Sequence, residues 1–359
     1  MSEPDGSPNH GPHGEGSTSG EGGGDTEPLH RRLDAELADR LAEAALRCED
    51  GEVRDLDRAQ LVRVSGFDLQ TAARCQAKAA APPPEFEPSI FTTSRAVALR
   101  SVRWLRRSGS VVGAVSDAMR QIRRADRHPD DGSGTDLDWL GLYLSDESAA
   151  PVDVRVRIAA RAVTWLATTL DVLGVDDLAA TRRWRHDIRP RWRYPGRGLT
   201  LDGRVDLAIP VSGNFTPVFV VNNLHPATLD ETAFNVCLWT INQRRPPLDV
   251  VVVDLPTATR RTIDPEELFE RGVTAAVRTA EAVTARSEVP VNGPSTAAGE
   301  PLARGPAAMS RNPSPLVCQD CFWAPNCSAK ADFDTKPIRK GGVQLTTANR
   351  VATRQRPPM

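Results

Sequence analysis

The chain has 359 residues, with 45 lysines and arginines against 47 acidic residues, a net charge of −2 and 40% hydrophobic content. That length holds one large domain or two modest ones, and the balance is ordinary for a soluble protein. No apolar run approaches the length of a bilayer span, and the N-terminus is Gly/Ser/acidic rather than charged-then-apolar. A soluble, cytoplasmic chain without a membrane span or secretory leader is therefore expected, in which six cysteines are expected as buried, metal-binding or catalytic groups rather than disulfides.

In chain order, residues 1–29 are Gly, Ser, Pro, Asp, Glu and His with almost nothing to bury, the composition of a disordered tail in which His10 and His13 are solvated. Pro28 to Arg47 repeats Leu29, Leu33, Leu37, Leu41 and Ala45 at helical spacing. A second amphipathic stretch runs from Asp57 to Lys78, and Ala81-Pro82-Pro83-Pro84 breaks the chain after it. Ser94 is placed to cap a helix through Arg107, with Ala98, Val102 and Leu105 on one face. Further helices are expected at 110–125 and 152–173, on either side of an Asp/Gly-rich loop at 129–136.

The period then changes. Leu199 to Ile209 alternates around Asp202-Gly203, as a hairpin does. Pro217 to Leu224 is an apolar, β-branched run that reads as a buried strand. Leu229 to Asn242 is helical, Asp249 to Leu255 is a central strand with Thr257 to Ile263 beside it, and Pro265 to Arg286 is a long helix with Pro in its first turn. Residues 287–315 form a Pro/Gly/Ala/Ser linker. A cysteine knot and a basic, flexible tail at 331–359 follow. The order implies an α/β core with a mixed sheet and a helical N-terminal half, its main domain running from 30 to 330 with the linker inside it.

The chemistry concentrates at the cysteines. Cys318-Gln-Asp-Cys321 presents two thiolates to one metal site, and Cys327 adds a third after five residues. A fourth ligand must come from upstream. Cys237 lies on an apolar helix face, where a thiol is buried and inert, and Cys48 is followed by Glu49-Asp50, which disfavours a thiolate. Cys75, flanked by Arg74 and Lys78, favours one. Four thiolates suit zinc and an iron–sulfur cluster equally.

A cysteine in a short N-terminal helix, a core, and C-x2-C-x5-C at the end together resemble the iron–sulfur nuclease domains of the PD-(D/E)xK, RecB-like superfamily, as in AddB-type helicase–nuclease subunits and CRISPR adaptation nucleases. Ser65 to Cys75 looks like their opening cysteine segment, Gly203-Arg-Val-Asp206 is similar to their G-x-x-D motif, and Pro217 to Leu224 lies where their (D/E)-x-K strand belongs. The resemblance covers roughly residues 62–330. It implies a restriction-endonuclease-like mixed sheet flanked by helices, a [4Fe–4S] cluster on Cys75, Cys318, Cys321 and Cys327, and DNA and a helicase or other nucleic-acid-processing subunit as partners.

In that family two acidic residues hold a divalent metal and a lysine serves the attacking water. Here Asp206 remains, but Asn222 stands at the acid and Leu224 at the lysine, and a slip by one residue gives Val221 and Asn223. The only lysines are Lys78, Lys330, Lys336 and Lys340, so no migrated lysine serves the core. The helix that usually carries a metal-binding His has Arg95, Ala98 and Arg100, and the Gln helix has Thr232 or Asn235. The resulting expectation is a nuclease fold without its chemistry, acting in DNA or protein binding. The alternatives are an active nuclease with ligands rearranged around Asp206, using Asp230 or Glu231 and Arg244, and a metal- or redox-sensing interaction protein.

One further segment stands out. Between Arg182 and Arg197, cations alternate with aromatics. Arg185, Arg189, Arg191 and Arg193 can grip phosphates while Trp192 stacks on a base, or the segment is a solvated strand edge whose indoles face the core. The sequence leaves both open.

Overall fold

The computed structural model describes residues 27–44, 62–80, 87–125, 138–194 and 198–286. Nearly all of the expected 1–29 tail, the loop at 129–136, the 287–315 linker, the cysteine knot and the 331–359 tail lie outside the described residues.

The fold is α/β, with mixed sheets flanked by helices. Helices α1 (Leu29–Ala44), α2 (Gly66–Arg74) and α3 (Gln76–Ala79) surround a short strand, β1 (Val62–Val64). Helices α4 (Ile90–Ser101), α5 (Leu105–Ser108), α6 (Val111–Ala125), α7 (Asp138–Ser145) and α8 (Val152–Val172) complete the helical half. Then come β2 (Arg185–Ile188), β3 (Arg191–Arg193), β4 (Leu199–Asp202), β5 (Val205–Val211), β6 (Asn214–Val221), α9 (Pro226–Gln243), β7 (Val250–Asp254), β8 (Thr259–Ile263) and α10 (Glu266–Arg286).

The larger sheet has the order β2-β5-β6-β7-β8, with β6 and β7 parallel and the other neighbours antiparallel. Parallel neighbours need a crossover, and α9 supplies it. The four valines of β7, Val250 to Val253, are all buried because helices cover both faces. On one face α1, α9 and α10 enclose Val205, Phe219, Val250 and Val252. On the other, α4, α6, α7 and α8 enclose Leu207, Val218, Val220, Val251 and Val253. A second, three-stranded sheet, β1-β4-β3, joins the first face. Among the described residues no helix is long and apolar enough to cross a membrane.

Three expectations change. Ser89, not Ser94, caps α4: its side chain accepts from the Thr92 N–H and Thr92 answers its backbone, while Ser94 lies inside the helix with its Oγ on the Ile90 carbonyl. This reciprocal box immediately after Pro88 outcompetes the later serine. The stretch 57–78 is not one helical face, because Val62 and Val64 pair with β4 and Cys75 takes extended backbone between α2 and α3. Leu199 to Ile209 is not a hairpin either. Strands β4 and β5 belong to different sheets, and the true hairpin joins β5 to β6 through Ser212 and Gly213, both at positive φ. Alternating side chains look alike in either pairing; what separates the strands is Asp202, which accepts from Arg63 of β1 and Arg191 of β3.

Helices α9 and α10 cross closely at Gly272. A Cβ there would lie 2.5 Å from the Ala233 carbonyl oxygen and 2.5 Å from the Cys237 sulfur. Gly272→Ala is therefore expected to cost about 1–3 kcal/mol through overpacking, despite its better helix propensity. Urea unfolding checks this, and a midpoint equal to or above the parent's would contradict the close crossing.

Candidate functional site

The Gly203-to-Asp206 segment carries the densest polar cluster. Gly203 passes so close to α9 that a Cβ would sit 2.8 Å from the Asn235 Oδ1. That same oxygen accepts the Arg204 N–H at 2.8 Å, so Asn235, buried at 2% exposure, pins the entry to β5. Asp206 follows with no exposed surface. Its carboxylate is fully engaged: one terminal nitrogen of Arg95, on α4, donates to both oxygens at 2.8 and 2.7 Å, and the Val220 N–H donates at 2.9 Å. Arg204 adds an ion contact at 3.5 Å. Buried carboxylates persist only when paired and hydrogen-bonded in this way.

Asp187 completes the network. It lies on β2 between the pairs His186–Leu207 and Ile188–Val205, hence beside Asp206. It takes φ 47° and contacts Arg204 at 3.2 Å and Arg189 at 3.0 Å. Burial would raise its pKa, but Arg204 and Arg189 overcome that and hold the carboxyl below its usual range. Burial also opposes the charge on Arg95; the attraction and hydrogen bonds of Asp206, with Glu231 and Asp187 behind them, outweigh it and hold this guanidinium above its ordinary value. Arg204 goes the other way. Burial and the neighbouring Arg95 charge pull it down to about 10, still protonated at neutral pH. The Arg95 Nε is buried without a hydrogen-bond acceptor, and the Arg204 Nε meets Asp187 and Asp206 only as ion contacts without hydrogen-bond alignment.

A cavity of about 260 Å³ opens beside these groups, between α4, α9 and the end of β6. Strand β6 and the loop after it contribute Phe219, Val220, Val221, Asn222 and Asn223 to its wall. No carboxylate and no lysine reaches the cavity from the strand where the resemblance places the (D/E)-x-K motif. Among the described residues the wall's one carboxylate is Glu231, which accepts from the Gln70 amide at 2.6 Å. Burial raises its pKa, with Gln70 and Arg95 opposing and Asp206 adding to the rise. Asp230 points elsewhere, to Arg271 and Arg278 of α10, and Arg244 caps the far end of α9. His225, expected as a loop residue, is the N-cap of α9: its Nδ1 accepts from the Ala227 and Thr228 N–H groups, which leaves Nε2 as the donor at the cavity wall. Among the described residues no three His, Cys, Asp or Glu side chains converge as a metal-holding group.

Of the expected cluster ligands, Cys318, Cys321 and Cys327 lie outside the described residues, as does Cys48. Cys75 is a free thiol, 9% exposed, at the junction of α2 and α3. Its neighbour Gln76 donates to the Arg278 carbonyl and to Glu281 of α10, which places Cys75 against the last described helix, from which the chain continues toward the other three cysteines. Cys237 is 2% exposed, and its thiol donates to the Phe269 carbonyl at 3.4 Å. Burial pushes its pKa up to about 12, the surroundings of a protonated thiol rather than a ligand.

In the arginine-rich segment, Trp192 is 5% exposed within the core and its indole N–H donates to Asp34 of α1. Its ring is not on a surface that a base can reach. Arg185, Arg189, Arg191 and Arg193 remain exposed, with Arg185 stacked over Phe215 at 4.3 Å. Sequence reasoning passed over two residues that organise the site. Arg95 registered only as a missing histidine, and Arg204 as the variable position of a motif; the one available signal was Arg204 two residues before the acid in a stretch without lysine, and nothing local marked Arg95. Compared with models of known protein families and with curated proteins, the chain matches none.

Proposed function

We propose that this protein is a non-cutting relative of the RecB-like nucleases, with a restriction-endonuclease-like core, that binds nucleic acid and carries a [4Fe–4S] cluster on Cys75, Cys318, Cys321 and Cys327. The observation that carries the non-cutting reading is the Arg95–Asp206 pair. Both oxygens of the one remaining motif acid are held by a guanidinium and a backbone N–H, so a divalent metal would have to displace a fixed cation from a buried carboxylate. Arg95 supplies the positive charge that the metal supplies in a nuclease, but a guanidinium neither lowers the pKa of a bound water nor orients one as a metal does. Cofactor binding would tie the α2–α3 corner to the chain beyond α10, and the cluster's own contribution is to stabilise that closure. Support for nucleic-acid binding comes from four exposed arginines close in sequence, Arg185, Arg189, Arg191 and Arg193, of which Arg189 and Arg191 are paired with Asp187 and Asp202.

The test is incubation of the purified protein with single- and double-stranded DNA in Mg²⁺ or Mn²⁺. The expected result is no cleavage, together with binding that weakens as salt rises. Arg193→Ala should reduce the salt slope by about one. One observation favours a second reading, an active nuclease with rearranged ligands: Glu231 faces the cavity beside Asp206. Metal-dependent cleavage abolished by Glu231→Gln would establish that reading and overturn the first.

A further inference from the structure

We infer that the cavity beside Arg95 and Arg204 is a metal-independent pocket for the terminal phosphate of a nucleic-acid strand. This rests on the nucleic-acid-binding reading above and names what the old metal site now holds. The charge balance is the starting point. Arg95, Arg204 and Arg189 face Asp187 and Asp206, with Glu231 at the cavity wall. Three cations against two fixed anions leave one positive charge in excess whenever Glu231 is protonated, and none in excess when it is ionised.

The two guanidinium groups are incompletely satisfied and belong to the cavity wall. The Arg95 Nε is buried and lacks an acceptor, the Arg204 Nε has only poorly aligned ion contacts to Asp187 and Asp206 at 3.2 and 3.5 Å, and the two side chains keep 29% and 27% of their surface open. Both residues line the cavity, as do His225 and the amides of Asn222 and Asn223. Buried guanidinium donors without acceptors are costly unless a ligand completes them. An oxyanion with several acceptor oxygens does so, and a doubly charged monoester gains more from two guanidinium groups than a diester.

The approach to the pocket fits a strand. Asn222 also lines a second, larger cavity of about 670 Å³, whose wall has Ile90, Leu255 and Pro256 as its more accessible apolar members and Arg157 and Arg161 as cations, with Trp165 behind them at 5% exposure. Phe91 lines the smaller cavity and lies under Arg161 at 4.9 Å. A sugar and base attached to a phosphate in the inner cavity thus have an adjacent space where Ile90, Leu255 and Pro256 lie beside the Arg157 and Arg161 cations, apolar surface and positive charge together, as single strands favour.

The experiment is a binding titration of the full-length protein without added divalent metal. The probes are one oligonucleotide in 5′-phosphorylated, 3′-phosphorylated and unphosphorylated forms, with a mononucleotide and inorganic phosphate as competitors. One phosphorylated form is expected to bind at least tenfold tighter than the unphosphorylated strand. Arg204→Gln should remove the difference and Glu231→Gln should enlarge it, with melting curves confirming that both variants fold. Competition by inorganic phosphate or the mononucleotide alone, without a gain from the strand, would keep the phosphate pocket but assign it to a small ester. Equal affinity for all three strands, or a preference that needs Mg²⁺, would overturn the pocket while leaving non-cutting DNA binding intact. Metal-dependent cleavage would overturn both readings.

Discussion

Asp206→Ala is expected to destabilise the protein by about 3–5 kcal/mol, the range for removing one partner of a buried, hydrogen-bonded ion pair. The substitution strands three groups at once: the Arg95 guanidinium that held both oxygens, the Val220 N–H, and Arg204, already depressed to about 10. At about 2–4 °C per kcal/mol for a domain of this size, the melting temperature should fall by roughly 10 °C. The sign is the informative part. Carboxylates kept apart for metal binding are usually strained or mutually repelling, so removing one tends to raise stability. Here removal should lower it, because the acid has become the anchor of a fixed ion network. Arg95→Met combined with Asp206→Leu should recover part of the loss, since it replaces the pair instead of stranding one half. An unchanged or higher melting temperature for Asp206→Ala would mean that the carboxylate is free to take a metal.

The second large effect is expected at the cysteines. Cys75→Ser and Cys318→Ser should each yield protein with little iron and sulfide that is insoluble or rapidly degraded by protease, because ligand binding contributes folding free energy directly. Parent protein purified without oxygen should be brown with broad visible absorption and contain iron and sulfide; zinc without sulfide would replace the cluster by a zinc site on the same ligands. Cys237→Ser is the control. Its sulfur donates to the Phe269 carbonyl inside the α9–α10 packing, and serine keeps a donor there, so metal content should not change. Soluble, well-folded Cys75→Ser protein with unchanged metal content would exclude Cys75 and leave Cys48 as the remaining upstream candidate.

Elements whose side-chain period is local were readable from the chain. The leucines at 29, 33, 37 and 41 repeat every four residues, and α1 buries Leu33, Leu37 and Leu41. The valine run of β7 and the helices at 152–173 and 265–286 match their expected places within a residue or two. Strand partners were not readable, because β4 and β5 show the same alternation whether they pair with each other or belong to different sheets. That choice is made by Arg63, Arg191 and Asn235, all far from the Asp202–Gly203 turn in sequence or in another element.

By itself the sequence determined the α/β order, the lack of any lysine between 79 and 329, and Asn222 and Leu224 at the end of the apolar run 217–224. These are statements about residue type and local period. Only the tertiary structure decided what became of Asp206. Its 111-residue separation from Arg95 carries no local pattern, and an arginine on a helix is read as solvated until an interior strand of the sheet brings a buried carboxylate against it. Once desolvated, each charge requires the other, and that mutual requirement, not the motif, defines the site.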